Sequence, residues 1–328
     1  MRAIIIGGGI GGFTVAIALR AVGIDAQVYE RASSLGEVGA GIALGDNALR
    51  IMETLGLGNA LRSQSVRRIS GSIMNPEGKG LFAVPGDEVT RQLGAVAVLL
   101  RAELMALLAQ VIDPGHIHLG WTCVGFEQDD TGVTAVFENG ETAKGDLLIG
   151  ADGLKSVVRT ELFGEQQLLY AGYTAWRAVV ASDCNRDVMM GETWGRGCRF
   201  GILPMSLGRV YWFATSNSPE GERDPEGKSR QTLSRLFLGW HKPIEALINT
   251  TNEGSILRND IYDMNPIQRW VRGRVALLGD AAHPMTPNLG QGACQAIEDA
   301  VVLAACLRGS ESIEVFRFSV KWRRGAPR

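Results

Sequence analysis

The stretch Ala3-Ile4-Ile5-Ile6-Gly7-Gly8-Gly9-Ile10-Gly11-Gly12-Phe13-Thr14-Val15-Ala16-Ile17-Ala18-Leu19-Arg20 decides the fold. Ala3 to Ile6 is short, apolar and β-branched, the pattern of a buried parallel strand. Glycines follow at once, and the residues from Phe13 take helical spacing. Gly7, Gly9 and Gly12 match a GxGxxG turn, with Gly11 inside it. In such a turn the first glycine permits a tight bend and the second lets a pyrophosphate approach the backbone. The third lets strand and helix pack closely. The helix N-terminus then offers free N–H groups and partial positive charge to the phosphates. A second strand, Ala26 to Tyr29, ends in Glu30, where a carboxylate grips ribose hydroxyls. Strand, turn, helix, strand and acid in this order predict a dinucleotide-binding unit. Arg31 is either a partner for a 2′-phosphate or a solvated, stacking cation.

The rest of the chain sets bounds on that unit. Its 328 residues amount to about two domains. Hydrophobic types make up 45% and charged types 21%, which excludes whole-chain disorder, collagen and coiled coil. A net charge of −2 gives no global attraction for nucleic acid or an anionic membrane. Cys123, Cys184, Cys198, Cys294 and Cys306 form no CxxC pair, so neither a metal site nor a redox disulfide is spelled out. No apolar run reaches the length of about 18 residues that a spanning helix needs. A cytoplasmic protein, monomeric or homodimeric, is expected.

Arg274 to Gly279 is another apolar strand, running into Asp280-Ala281-Ala282-His283-Pro284. A loop with Pro287, Gly290, Gln291 and Gly292 leads to a helix marked by Ala293, Ala296, Ile297, Ala300, Val301, Ala304 and Leu307. Asp280 at a strand end can accept hydrogen bonds from a sugar alcohol, and the Gly290-Gln291-Gly292 backbone can lie flat against a ring. The helix start behind it favours negative charge. A reduced flavin, with its polyol chain and anionic ring, uses both devices; NAD needs neither. His283, beside Pro284 and small residues, is expected to be structural or phosphate-facing.

With these residues the chain resembles the single-component, FAD-dependent aromatic hydroxylases, the group of para-hydroxybenzoate and salicylate hydroxylases. Three motifs carry the resemblance over residues 1–308: Gly7–Gly12 with Glu30; Asp146 to Gly153 followed by Ser156 and Arg159; and Gly279 to Pro284 through Gly292. The resemblance implies an α/β (overall α+β) fold, a doubly wound Rossmann-like FAD domain with an inserted, mainly antiparallel substrate sheet. It also implies FAD as cofactor, NADH or NADPH as reductant, and hydroxylation or epoxidation by O2 through a flavin peroxide. By the same resemblance Glu30 would hold the adenosine ribose and Arg31 would lie by the adenine. Arg101 would reach the ribityl or phosphate side, and Val124 would offer its backbone to adenine. Asp152 would serve the motif linked to FAD and NAD(P)H binding. Asp280 would bind the ribityl chain, and Pro287 with Gly290–Gly292 would line the flavin ring.

The flavin motifs are scattered, so the FAD domain is expected from segments 1–70, 99–165 and 271–308. A substrate domain is expected from 71–98 and 166–270, and an atypical or truncated tail from 309–328. Residues 173–180, 199–203, 209–215 and 255–263 read as strands of an antiparallel or mixed sheet. Residues 229–249 read as one helical stretch. Trp176, Phe200, Trp212 and Phe213 are candidates for an aromatic pocket or for core, and Tyr262 is a weaker pocket candidate. Arg177 is the candidate substrate-orienting residue, able to pair a carboxylate or phenolate. A strand alternates its faces, so Trp176 and Arg177 cannot both point at the substrate. No catalytic base stands out. Two other readings remain open: an NAD(P)-dependent dehydrogenase, and a non-catalytic FAD-binding remnant.

Overall fold

The opening strand, Arg2–Ile6, lies inside a six-stranded sheet. In the computed structural model, which describes residues 1–36, 41–63, 65–66, 71–84, 94–181 and 190–309, it pairs in parallel with Asp25–Glu30 and Leu147–Gly150. Ile117–Leu119 and Val275–Leu277 extend the parallel set, and Val271–Arg272 adds an antiparallel edge. The run of β-branched residues is explained by burial on both faces. Ala3 and Ile5 join a core with Phe13, Leu19, Ile297 and Leu303. Ile4 and Ile6 face the other way, towards Val133, Ala135 and Phe137 of a three-stranded antiparallel layer. Helices Ile10–Ala21 and Gly292–Leu307 share the first face. Gly11 lets them approach, since a Cβ there would stand 2.6 Å from Leu278 Cδ2 and 3.2 Å from Ala296 Cβ.

A second sheet has seven strands in the order Leu257–Met264, Leu168–Ala181, Arg209–Asn217, Cys198–Pro204, Gly191–Trp194, Gly71–Met74, Gly80–Val84. All neighbours are antiparallel except Gly191–Trp194 with Gly71–Met74. Its two faces do different work. One is covered by two helices, Ser229–Leu236 and Ile244–Thr250, through Leu233, Phe237, Ile244 and Leu247. The other faces the glycine-rich layer.

The structure corrects one sequence expectation and decides between two others. The single helix over 229–249 is two helices, separated by Gly239 at φ +78° and by Pro243. The apolar periodicity continues across the gap because Phe237 and Trp240 still pack on the same core. Of the four pocket aromatics, Trp176, Phe200 and Trp212 belong to the core on the helix-covered face. Trp176 donates its indole N–H to Asp224, and Phe200 stacks on Trp212 with centroids 5.4 Å apart. Only Phe213 is on the opposite face. Cys184 and residues 310–328 of the expected tail lie outside the described residues.

Candidate active site

A cavity of about 680 Å³ lies where the seven-stranded sheet meets the glycine turn. Gly9, Gly11, Arg101, Asp280, Pro287 and Gly290 line one side; Arg177, Tyr211 and Phe213 line the other. It is built from the glycine turn outward. Gly7 has φ +104°, and a Cβ there would meet the Ala151 carbonyl at 2.4 Å. At Gly12 a Cβ would stand 1.9 Å from the Gly7 carbonyl oxygen. These two glycines hold strand and helix in contact. Gly9 is different: nothing lies within 4 Å of the place its Cβ would take. Gly153 and Gly290 also line the cavity with open space at that place. Backbone therefore faces the cavity at three points, as a flat or phosphate-bearing group requires.

Glu30 caps the turn from below. Its Oε2 accepts from Gly8 N–H at 2.6 Å and its Oε1 from Ala32 N–H at 2.8 Å. Each carboxylate oxygen keeps a lone pair for a sugar hydroxyl. Gly8 is required by this contact, because its Cβ would lie 2.9 Å from Glu30 Cβ. Arg31 is exposed beside it. Val124 lies in Cys123–Gln128 at a register shift, where Val136 faces Gly125 and Phe137 faces Cys123. Val124 is thus the residue left without an opposite partner, a β-bulge. Glu30, Arg31 and Val124 do not line the cavity itself.

Asp280 lines the cavity and is exposed into it, beside the buried strand end at residues 275–279. Desolvation by the surrounding cavity walls raises its carboxyl above the ordinary aspartate value, while His283 and Arg101 pull it down. Arg101 opens the helix Arg101–Gln110, after a strand that ends at Leu100. His283 and Gly279 N–H both bond Asp299 Oδ2, at 2.6 and 3.0 Å, which pins the Asp280 turn. His283 is therefore structural. Asp152 does not face the cavity. Its carboxylate accepts from Ser156 Oγ at 2.6 Å and from Val157 and Val158 N–H, capping the next helix. Burial pushes this carboxyl upward against those bonds. Arg159, 3% exposed, donates to the carbonyls of Leu154, Asp280 and Ala281. It thereby ties the Asp152 and Asp280 segments together.

The sequence profile of the family described as FAD binding domain matches residues 1–312. The chain belongs to this FAD-binding family. Aurachin C monooxygenase/isomerase of Stigmatella aurantiaca is 44% identical over 94% of this chain and 80% of its own length. FAD-dependent urate hydroxylase of Klebsiella pneumoniae is 37% identical over 95% of this chain and 83% of its own. The structure of Klebsiella pneumoniae HpxO complexed with FAD and uric acid superposes with TM-score 0.91 at 35% identity, covering 97% of this chain and 83% of that one. The chain is thus an FAD-dependent monooxygenase, with the Rossmann-like FAD fold and second sheet expected of an aromatic-hydroxylase-like flavoprotein. The dehydrogenase and the non-enzyme alternatives fall away. The three open glycines and the cavity-facing Asp280 fit the group this family binds. Among the described residues no helix is long and apolar enough to cross a membrane, and no group of His, Cys, Asp or Glu could hold a metal.

Several cavity residues escaped sequence reasoning. Arg199 reaches Asn288 Oδ1 at 2.8 Å and sits 5.9 Å from the Tyr173 ring centroid, and Tyr173 donates to the same oxygen at 3.0 Å. This cluster joins the loop that carries Pro287 and Asn288 to the sheet. Tyr211 packs over Gly41, whose Cβ would lie 2.3 Å from the Tyr211 ring. The available signal was alternation. Tyr211 and Phe213 are two apart in one strand, and Arg199 in the next lies opposite Thr215, so all three oppose Phe200 and Trp212 in face. Tyr262 is not part of the cavity lining; it donates to Glu220 and packs on Tyr170.

Proposed function

We propose that this monooxygenase hydroxylates, or epoxidises, a small aromatic or related hydrophobic substrate, using NADH or NADPH as reductant and O2. The ring would sit between the flavin end of the cavity and the seven-stranded sheet. FAD, when bound, supplies redox chemistry and oxygen activation; the chain supplies placement and dryness. Glu30 and Val124 would hold the adenosine end. The open backbone at Gly9 would take the pyrophosphate, Arg101 and Asp280 the ribityl side, and Pro287 with Gly290–Gly292 the ring. Gln291, whose Oε1 accepts from Asn47, would fix that loop against the helix Asp46–Thr54. We assign the nucleotide function to segments 1–70, 99–165 and 271–308 and substrate binding to 71–98 and 166–270. The protein is proposed to act in the cytoplasm as a monomer or homodimer.

One observation carries the aromatic assignment. Arg177 is on the cavity face, with Trp176 turned into the core, and its Nε is buried without a hydrogen-bond partner. Its Nη2 donates to Asn259 Oδ1 at 2.7 Å, which leaves the guanidinium anchored at one corner. A carboxylate or phenolate would satisfy the remaining donors. Arg177→Ala should raise KM for such a substrate roughly tenfold to a hundredfold, the loss of a charge-assisted bond. It should also divert reducing equivalents to hydrogen peroxide, because the ring is no longer held in register. The check is substrate-stimulated NAD(P)H oxidation with hydroxybenzoates, with peroxide measured alongside. Unchanged KM and coupling would remove Arg177 from the substrate site.

A further inference from the structure

The cavity floor continues beyond the cavity. Pairing across the sheet sets Arg177 opposite Phe213, Phe213 opposite Gly201, Gly201 opposite Glu192, Glu192 opposite Ile73 and Ile73 opposite Phe82. Residues directly opposite in adjacent strands share a face, so this is one lateral row on the cavity side. Arg177, Phe213 and Glu192 line the cavity; Phe213 fills the space above Gly201, within 2.1 Å of where its Cβ would stand. Past Glu192 the row changes character. Ile73 is half-buried and Phe82, on the edge strand, is 60% exposed. In the next row Trp194 lies opposite Arg199 and is 45% exposed. Glu192 does not interrupt the strip with a free charge, since Trp194 Nε1 donates to its Oε2 at 2.7 Å and Arg199 lies 3.7 Å away. Leu289, 85% exposed, stands at the cavity lining on the flavin-side loop. At about 4.8 Å per strand, Phe82 lies about 10 Å beyond Glu192.

We infer that the substrate's ring carries an extended apolar substituent, and that Ile73, Phe82 and Trp194 form the platform on which it lies. This rests on the aromatic reading above and narrows it, from ring acids in general to amphiphilic rings with a long alkyl or alkenyl arm. The occupant is argued from continuity. The strip shares its face and its row with the proposed ring site and turns apolar where the row leaves the cavity. A ring held at Arg177 points any substituent opposite its polar group along that row. The exposed aromatic surface would then be covered only in the Michaelis complex.

The test uses the FAD holoenzyme and para-alkyl phenols from methyl to nonyl, read by Kd from the flavin absorbance change and by KM from NAD(P)H oxidation. A one-sided platform removes about half of each methylene from water, so Kd should fall about twofold per added methylene. Phe82→Asp should flatten that dependence for the long chains and leave the methyl compound unchanged. Ala83→Asp is exposed and next in the strand, so it points to the other face and should keep the wild-type slope. A Kd independent of chain length overturns the inference. So does an unaltered slope in Phe82→Asp, or a dimer that Phe82→Asp dissociates while the slope is kept, which would make the strip a contact between copies. A falling Kd without turnover supports the platform and overturns the proposed reaction; turnover without any slope does the reverse.

Discussion

Glycines that look alike in the sequence do different jobs. Gly12 meets the Gly7 carbonyl at 1.9 Å from its would-be Cβ, whereas Gly9 meets nothing within 4 Å. Gly12→Ala must therefore push strand and helix apart, at or above the ~1–3 kcal/mol typical of overpacking. Gly9→Ala should leave the thermal midpoint of the flavin-free protein unchanged and weaken FAD binding by filling space the phosphates need. Urea unfolding and FAD titration of the two variants would separate these effects. Equal loss of stability in both would mean that Gly9 is packed rather than open to a ligand. The GxGxxG spacing made Gly7 and Gly12 legible because their role is local. The roles of Gly8 and Gly11 were not, because their neighbours, Glu30, Leu278 and Ala296, come from elsewhere in the chain. Asp152 shows the converse: its motif stood out, yet its carboxylate is spent capping a helix.

At the scale of elements, the helix Arg101–Gln110 is where the two layers are joined. Glu103 Oε2 accepts from Leu100 N–H at 3.1 Å, and Arg209 of the seven-stranded sheet clasps the same carboxylate at 2.7 and 3.3 Å. Partial burial raises this carboxyl, but the bonds from Arg209 and Leu100 outweigh it and hold it below the ordinary glutamate value of 4.5. A carboxyl lowered in the folded state binds fewer protons there than when unfolded. Its stabilisation is present above the ordinary glutamate value and is lost as pH falls through the lowered one. Glu103→Gln should cost about 1 kcal/mol at neutral pH, allowing for solvent screening of a partly exposed pair. That difference should shrink towards zero in acid. A mutant penalty that does not change with pH would show that the pair contributes through packing alone. Elements were legible where one periodicity ruled: the opening strand, both long helices of the nucleotide layer and four of the seven strands of the second sheet, whereas the short strands Gly71–Met74, Gly80–Val84 and Gly191–Trp194 went unread. The break at 237–243 was hidden because Phe237 and Trp240 preserve the apolar pattern through a turn. The aromatic strands were legible as strands but not as faces. Alternation tells that Trp212 and Phe213 oppose each other; it does not tell which side the covering helices take.

At the scale of the whole molecule, the site exists only where the layers meet. One wall is backbone from segments near residues 9, 153 and 290, and the other is side chains from strands 168–181, 198–204 and 209–217. Three sequence motifs announced the first wall, because close backbone approach leaves glycines behind. The second wall left no motif, since its lining comes from ordinary strand residues such as Arg177 and Phe213. Insertion of oxygen from O2 into a ring is the reaction expected of this assembled site. Its most direct measurement is turnover of a hydroxybenzoate or alkyl phenol by the FAD holoenzyme under isotopically labelled dioxygen, followed by mass spectrometry of the product. The expected product is heavier by a single labelled oxygen atom, is formed with NAD(P)H consumption and is diminished in Arg177→Ala. NAD(P)H consumption that yields only labelled peroxide, or a product whose new oxygen comes from water, would contradict it.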